Sequence, residues 1–292
     1  MIKGLPIRQK SSILYPAKTM ANIKLKIGLI LIILITLLVI LLPALSPYSA
    51  HSINVEKLSL HPSWQHPLGT DRLGRDYLTR LFLAGRLSLS VALFSALLTT
   101  LLGLIVGLSA ALLGGKADKI LMRLAELISS LPFIPLAIIL MAFLAFQLDA
   151  GSKTLFIVLL IALLSWPSTA RLMRGNILHL KNEDYLLIAT AMQLNLAHKI
   201  KYYALPAILP QLAINSAVNF GRALTSEATL SFLGLGFTEP LLSWGTLLAA
   251  GRSFDVLTNQ YYMWLSSAIL LIVALLAVNL IAESARTLRN KK

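Results

Sequence analysis

Six apolar segments, each close to the length of a membrane-crossing helix, constrain this chain more than any other feature. A helix needs about 20 apolar residues to cross the hydrocarbon core of a bilayer. The composition agrees, because 57% of the 292 residues are hydrophobic and only 13% are charged, against about 25% in soluble domains. The sequence therefore predicts an all-α membrane protein with six transmembrane helices. These predicted spans are 27–45, 87–113, 127–146, 155–170, 206–230 and 263–282.

Lys and Arg are distributed unevenly among the connections between these spans. Of the 26 cations, 18 lie in 1–26, 114–126, 171–204 and 283–292. Because cytoplasmic loops are enriched in Lys and Arg, we expect both termini in the cytoplasm. The segments 1–26 and 286–292 would then be basic cytoplasmic tails, anchors for topology or binders of anionic lipid.

A cleaved signal peptide is the alternative interpretation of the N-terminal segment. Such a peptide has a shorter apolar core and a cleavage site made of small residues. Here the apolar run is followed by Pro43 and Pro47, which are unfavourable around a cleavage site. We therefore expect 27–45 to remain as the first transmembrane helix.

The net charge of +14 and the lack of cysteine exclude several classes of function. The cations lie beside apolar runs rather than on one soluble face, which favours membrane orientation over nucleic-acid binding. Without cysteine the chain forms no disulfide and no thiolate metal site. Gly115-Lys116 is not part of a phosphate-binding loop, because Ala110 stands where that motif needs its first glycine. We find no catalytic constellation and predict no enzymatic activity for this chain.

The fifth span is unusually polar for a membrane helix, since it carries Asn215, Asn219, Arg222 and Glu227. Polar groups at this depth are costly unless they face protein or water, so this span should lie inside a bundle. The four residues are candidates for a solute path or gate, and a structural ion pair between Arg222 and Glu227 is the alternative. In the second span Gly103 and Gly107 form a GxxxG pair, which predicts close helix packing.

Two connections are longer than a helix bundle needs. The outer one, 46–86, contains His-Pro-Leu-Gly-Thr-Asp-Arg-Leu-Gly-Arg-Asp at 66–76, with Thr70 or Asp71 as candidate cap of a helix that starts at Tyr77. The inner one, about 171–205, predicts short helices at 183–192 and 196–203 that end at Pro206, with Asn195 as a helix cap. This apolar helix pair either packs on the base of its own domain or fits a groove on a soluble partner.

These motifs together resemble the second permease subunit of the dipeptide, oligopeptide and nickel importer family. The resemblance rests on 66–76, on Ser-Phe-Leu-Gly-Leu-Gly at 231–236 and on Ser-Trp-Gly at 243–245, in the family's order and spacing. It implies a type I ABC-importer transmembrane domain in the bacterial inner membrane, with 87–285 as its core.

The family resemblance also implies a set of partners and a coupling site. The partners are a homologous permease, two ATPase subunits that bind ATP and Mg²⁺, and an extracytoplasmic solute-binding protein. The inner helix pair becomes the coupling loop that docks on an ATPase. Its candidate residues are Tyr185, Ala189, Ala191, Gln193, Asn195, Leu205 and Pro206.

The coupling loop departs from the family pattern at one position. The family has a glycine where this chain has Gln193, and a glycine would permit the bend between the two helices. We expect Asn195, which tolerates left-handed backbone geometry, to make the bend instead.

The transported solute and two other functional classes remain open. Peptides are the commonest solutes in this family, and nickel or a metal chelate is the alternative. His51, His61 and His66 suit nickel chemically, but outer-loop histidines are usually solvated, and we predict no metal site. A self-sufficient secondary transporter or channel is an alternative of another class, although no inverted repeat is evident.

Overall fold

A computed structural model describes residues 14–144 and 148–289, and its elements are almost entirely helical. The parts of the predicted tails at 1–13 and 290–292 lie outside the described residues. Eleven α-helices lie in the described part of the chain. They are α1 (Leu14–Leu45), α2 (Tyr77–Leu113), α3 (Gly115–Ser130), α4 (Phe133–Leu144), α5 (Ala150–Leu180), α6 (Asp184–Ala191), α7 (Leu196–Lys199), α8 (Leu205–Phe232), α9 (Trp244–Leu248), α10 (Phe254–Asn259) and α11 (Tyr261–Arg289).

Helix α2 occupies the centre of the bundle. It packs most extensively on α5 and also on α8, while α1 packs along α11 at one side. The close approach of α2 and α5 follows from Gly103 and Gly107, as predicted. A side chain at Gly107 would lie 2.5 Å from the carbonyl oxygen of Ala170 and 2.9 Å from Cβ of Met173.

Four helices in the described ranges are long and apolar enough to cross a membrane: α1, α2, α5 and α11. Each is longer than the predicted span, and α5 runs ten residues beyond the predicted end at 170. Helix α8 has 28 residues but is too polar to meet the same criterion, in line with the expectation that it lies among other helices.

The third predicted span, 127–146, is not one straight helix. It breaks between α3 and α4, whose axes differ by 81°. The cause is local: Pro132 disfavours helical geometry in the preceding residue, and Leu131 is extended with ψ of 126°. The last two residues of this predicted span, 145 and 146, lie outside the described residues.

Candidate functional site

The predicted coupling loop folds as two short helices, α6 and α7, joined by a tight turn. The turn is made by Gln193, whose φ is +55°, and the amide of Leu194 donates to the carbonyl of Ala189 at 3.2 Å. This is a helix C-terminal motif in which glycine usually provides the left-handed residue. The expectation that Asn195 makes the bend was therefore wrong, since Gln193 bends the chain where the family has glycine.

Asn195 instead caps the second helix, as the sequence also predicts. Its side-chain oxygen accepts the amide of His198 at 2.7 Å. Helix α7 then continues through a π-helical turn, Ile200–Ala204, directly into α8. Pro206 does not end the helix, contrary to expectation. Pro206 lies where the π-helical turn changes to α-helix, and the amide of Leu205 donates to the carbonyl of Ile200 there. Proline has no N–H to donate, so this position loses no hydrogen bond.

The coupling segment presents apolar side chains to the outside. Ile188, Met192 and Tyr202 are 59%, 66% and 57% exposed. Ala189 is buried and Ala191 is exposed, while Tyr185 lies in α6 with a side chain outside the described part.

The coupling segment lies at the end of the bundle away from the outer loop. Nζ of Lys181, just after α5, donates to the carbonyl of Ala111 at 2.5 Å. The end of α5 therefore meets the end of α2, whereas the outer loop adjoins the start of α2.

The polar residues of α8 bind other helices of the same chain. Asn219 is buried, and its amide nitrogen donates to the hydroxyls of Thr100 on α2 and Thr169 on α5, at 3.1 and 3.0 Å. Asn215 donates to the same Thr169 at 2.9 Å. The two predicted residues thus tie α8 to the α2–α5 pair at the level of the GxxxG contact.

Glu227 is fully buried and lies among hydroxyl groups rather than beside a cation. Ser88 of α2 donates to one carboxyl oxygen at 3.0 Å, and Ser231 of α8 donates to the other at 2.7 Å. Each hydroxyl also accepts a backbone amide, from Trp244 and Phe237 respectively. Glu227 thereby fixes the chain reversal after α8 against α2.

Arg222 does not pair with Glu227. Its side chain is exposed and donates to the hydroxyl of Ser168 at 3.3 Å. The alternative of a structural ion pair between Arg222 and Glu227 is therefore wrong.

The outer motif 66–76 forms a compact hydrogen-bonded loop at the start of α2, which begins at Tyr77 as predicted. We call this loop the capping loop. The cap of α2 is Asp76, whose carboxylate accepts the amide of Thr79 at 2.9 Å and contacts Nδ1 of His66 at 2.9 Å. Neither Thr70 nor Asp71 caps it, contrary to expectation. Thr70 bonds the backbone of Lys57 and Leu60, and Asp71 accepts two amides within its own turn.

An ion-pair network connects the capping loop and the start of α2 to the segment after α8. The Glu239 carboxylate contacts the guanidinium groups of Arg75 and Arg80 at 3.2 and 2.5 Å. Trp244 is also buried here and donates from its ring nitrogen to the carbonyl of Leu81 at 3.0 Å. Trp244 is therefore part of the protein core and holds the segment after α8 against the start of α2.

Sequence reasoning missed the hydroxyl partners of the polar residues on α8. Ser88, Thr100 and Thr169 look unremarkable one at a time, yet each is a buried polar residue within an apolar span. Their polarity at that depth was the available signal. In the described ranges, no group of three or more His, Asp and Glu is arranged to hold a metal ion.

Comparison with known proteins identifies the family. Residues 99–292 match the family described as "Binding-protein-dependent transport system inner membrane component". The chain is 34% identical to the oligopeptide transport system permease protein of Bacillus subtilis over 82% of this chain and 75% of that protein. It is 35% identical to the glutathione transport system permease protein of Pectobacterium atrosepticum, over 83% and 78% of the two chains. It is 30% identical to the dipeptide transport system permease protein of Bacillus subtilis, over 88% and 78%. The chain therefore belongs to the binding-protein-dependent inner membrane components, as a multi-pass permease subunit of an ABC importer with a type I transmembrane domain.

Proposed function

We propose that this permease forms, with a homologous permease, the path by which short peptides enter the cell. Two ATPase subunits would bind ATP and Mg²⁺ and drive the cycle, and a solute-binding protein would deliver the peptide to the outer face. The peptide assignment is supported by the names of the relatives, which carry oligopeptides, dipeptides and glutathione. The family assignment makes a self-sufficient secondary transporter the weaker alternative.

The observation that carries the coupling role is the exposed apolar surface of the α6–α7 segment. Ile188, Met192 and Tyr202 expose more than half of their surface at one end of the bundle. Exposed apolar groups of this kind mark a contact surface, and a helix pair of this form fits a groove on a partner. Docking on an ATPase fits this exposure better than packing on the domain's own base.

The helical run from Leu196 to Phe232 gives this docking surface a mechanical connection to the membrane core. It passes without interruption through the π-helical turn and then past Asn215, Asn219 and Glu227. A displacement imposed at α7 would therefore tilt α8 against the α2–α5 pair. In this proposal Leu205 and Pro206 lie where the π-helical turn joins α8, and they transmit the displacement. Among the predicted path residues, Arg222 is the exposed one, so it can meet the solute or the second permease.

The cation distribution supports an orientation with both termini and the α6–α7 segment in the cytoplasm. The described cations nearest that end include Lys116, Lys119 and Lys181. Cytoplasmic loops carry such an excess. The capping loop around His66 and Asp76 would then face the solute-binding protein.

Copurification of the assembled importer tests the coupling role. The double variant Ile188→Glu with Met192→Glu places two charges on the apolar surface, and we expect it to lose the ATPase subunits while retaining the second permease. Phe254→Glu is the matched control, because Phe254 is also apolar and is 79% exposed. It lies on α10, beside the capping loop and therefore far from the α6–α7 segment. Full retention of the ATPases by the double variant would overturn the coupling role. Uptake of a radiolabelled dipeptide by the unmodified importer tests the solute, and nickel uptake without peptide uptake would overturn that part.

A further inference from the structure

Helix α3 lies nearly at right angles to the helix that follows it. Its 16 residues extend about 24 Å at 1.5 Å per residue, and its axis makes an angle of 81° with that of α4. Helix α4 belongs to the same core cluster as Ile157 and Ile161 in the outer half of α5, whereas α3 packs beside Trp166 and Ala170 in its inner half. With α4 inclined toward the outer side, α3 lies close to the plane of the inner membrane surface. That is the orientation of an interfacial helix rather than of a membrane span.

The surface of α3 is divided into three faces. One packs on this chain through Met122, Ala125 and Ile128, against α5 and the end of α2. The other two are exposed and adjacent. The apolar stripe consists of Ile120, Leu124 and Leu127, which are 68%, 47% and 60% exposed. The basic row beside it consists of exposed Lys116, Lys119 and Arg123.

The charges around α3 leave an excess of positive charge on the exposed side. Asp118 is taken up by Arg174, whose guanidinium holds both carboxylate oxygens at 2.5 and 2.6 Å. Glu126 lies 3.7 Å from Arg123. Within the described ranges, Lys116 and Lys119 have no ion-pair partner, and Arg171 of α5 contacts only the hydroxyl of Ser129. A cavity of about 540 Å³ opens between α3 and α5. Its lining consists of four cationic side chains, two carboxylates and one apolar side chain: Lys119, Arg123, Arg171, Arg174, Asp118, Glu126 and Met122.

We propose that α3 and the adjoining part of α5 bind an anionic phospholipid. Its phosphate would lie in the cavity beside Lys119, Arg123 and Arg171, and its acyl chains would cover the stripe of Ile120, Leu124 and Leu127. An exposed apolar stripe edged by Lys and Arg is the surface of a helix seated at the lipid headgroups. Basic pockets between membrane helices likewise accommodate anionic headgroups. The charge of the row selects an anionic lipid over a neutral one, and the stripe selects a lipid over free phosphate.

Quenching of an introduced tryptophan by brominated lipids tests this site in the complete importer. Leu124→Trp places the probe in the stripe, and its fluorescence is taken as the difference from the importer without the substitution. We expect brominated phosphatidylglycerol to quench it more effectively than brominated phosphatidylcholine, with a preference of about fivefold or more, since each nearby cation contributes about 1 kcal/mol. Adding Lys116→Gln, Lys119→Gln and Arg123→Gln should abolish the preference.

A matched control removes the same charge on the same side of the bundle. Lys18→Gln, Lys26→Gln and Arg286→Gln lie on the α1–α11 pair, are exposed, and should leave the preference unchanged. Three outcomes would overturn the proposal. Quenching by neither lipid would mean that protein covers the stripe. Equal quenching by both would mean lipid contact without a headgroup site. Loss of the preference on adding inorganic phosphate at constant ionic strength would identify a site for free phosphate.

Discussion

The contact between α2 and α5 makes a quantitative prediction about Gly107. In Gly107→Ala, the new Cβ would lie 2.5 Å from the backbone oxygen of Ala170 and 2.9 Å from Cβ of Met173. Non-bonded atoms settle at about 3.5 Å or more, so the helices must separate by roughly 1 Å. Overpacking of this kind costs about 1–3 kcal/mol. Alanine is also the better helix former and returns about 1 kcal/mol.

Gly175→Ala on the partner helix α5 isolates the packing term. A side chain at Gly175 meets no atom within 4 Å, so this variant gains the same helix propensity without the clash. The difference between the two variants should therefore be about 1–3 kcal/mol in the free energy of unfolding.

The assay is the melting temperature of the detergent-solubilised importer, followed by size-exclusion chromatography after heating. For chains of 150–250 residues, each kcal/mol shifts the melting temperature by roughly 2–4 °C. Gly107→Ala should melt below Gly175→Ala by at least that step. Equal melting temperatures for the two variants would refute the tight α2–α5 contact.

Three further substitutions test the turns and junctions. Gln193→Gly should slow hydrogen exchange across α6, because a left-handed non-glycine residue costs about 1–2 kcal/mol; faster exchange would contradict the bend at this residue. Asp76→Ala should lower the melting temperature, since a lost helix cap costs about 1 kcal/mol and buried His66 loses its carboxylate partner. The exposed Asp255→Ala is its control, and equal melting temperatures for the two variants would contradict a stabilising role of the capping loop. Glu227→Gln should destabilise the importer by about 1–3 kcal/mol, because an amide group accepts only one of the two serine hydroxyls. Glu126→Gln, at an exposed position, is the control and should leave the stability of the importer unchanged. An unchanged stability of Glu227→Gln would show that the hydroxyl cluster is dispensable.

Local signals in the sequence were reliable where the physical cause lies within a few residues. The start of α2 at Tyr77 and the cap at Asn195 depend on side chains close to the amides that they satisfy. The GxxxG pair likewise identifies a packing face, because the absence of side chains is visible in the sequence. The positions of the apolar helices follow from hydropathy in the same way.

Predictions failed where the partner of a side chain comes from a distant segment. Gln193 is an exception, because its turn is local and the prediction failed since its residue type disfavours the left-handed geometry that it adopts. Glu227 finds Ser88, which is 139 positions away, instead of Arg222 five positions away. The choice depends on which helix faces are in contact, and hydropathy carries no information about that.

By itself the sequence determined that this protein is a helical membrane permease with a short helix pair before its fifth span and a structured outer loop. These properties depend on apolar length, local capping and motif order, all of which can be read along the chain. Only the tertiary structure decided that Trp244 is buried, that Asn219 binds α2 and α5, and that α3 turns away from α4. Each of these results depends on packing between helices, where a buried polar group must find its partner among whichever elements the fold brings near it.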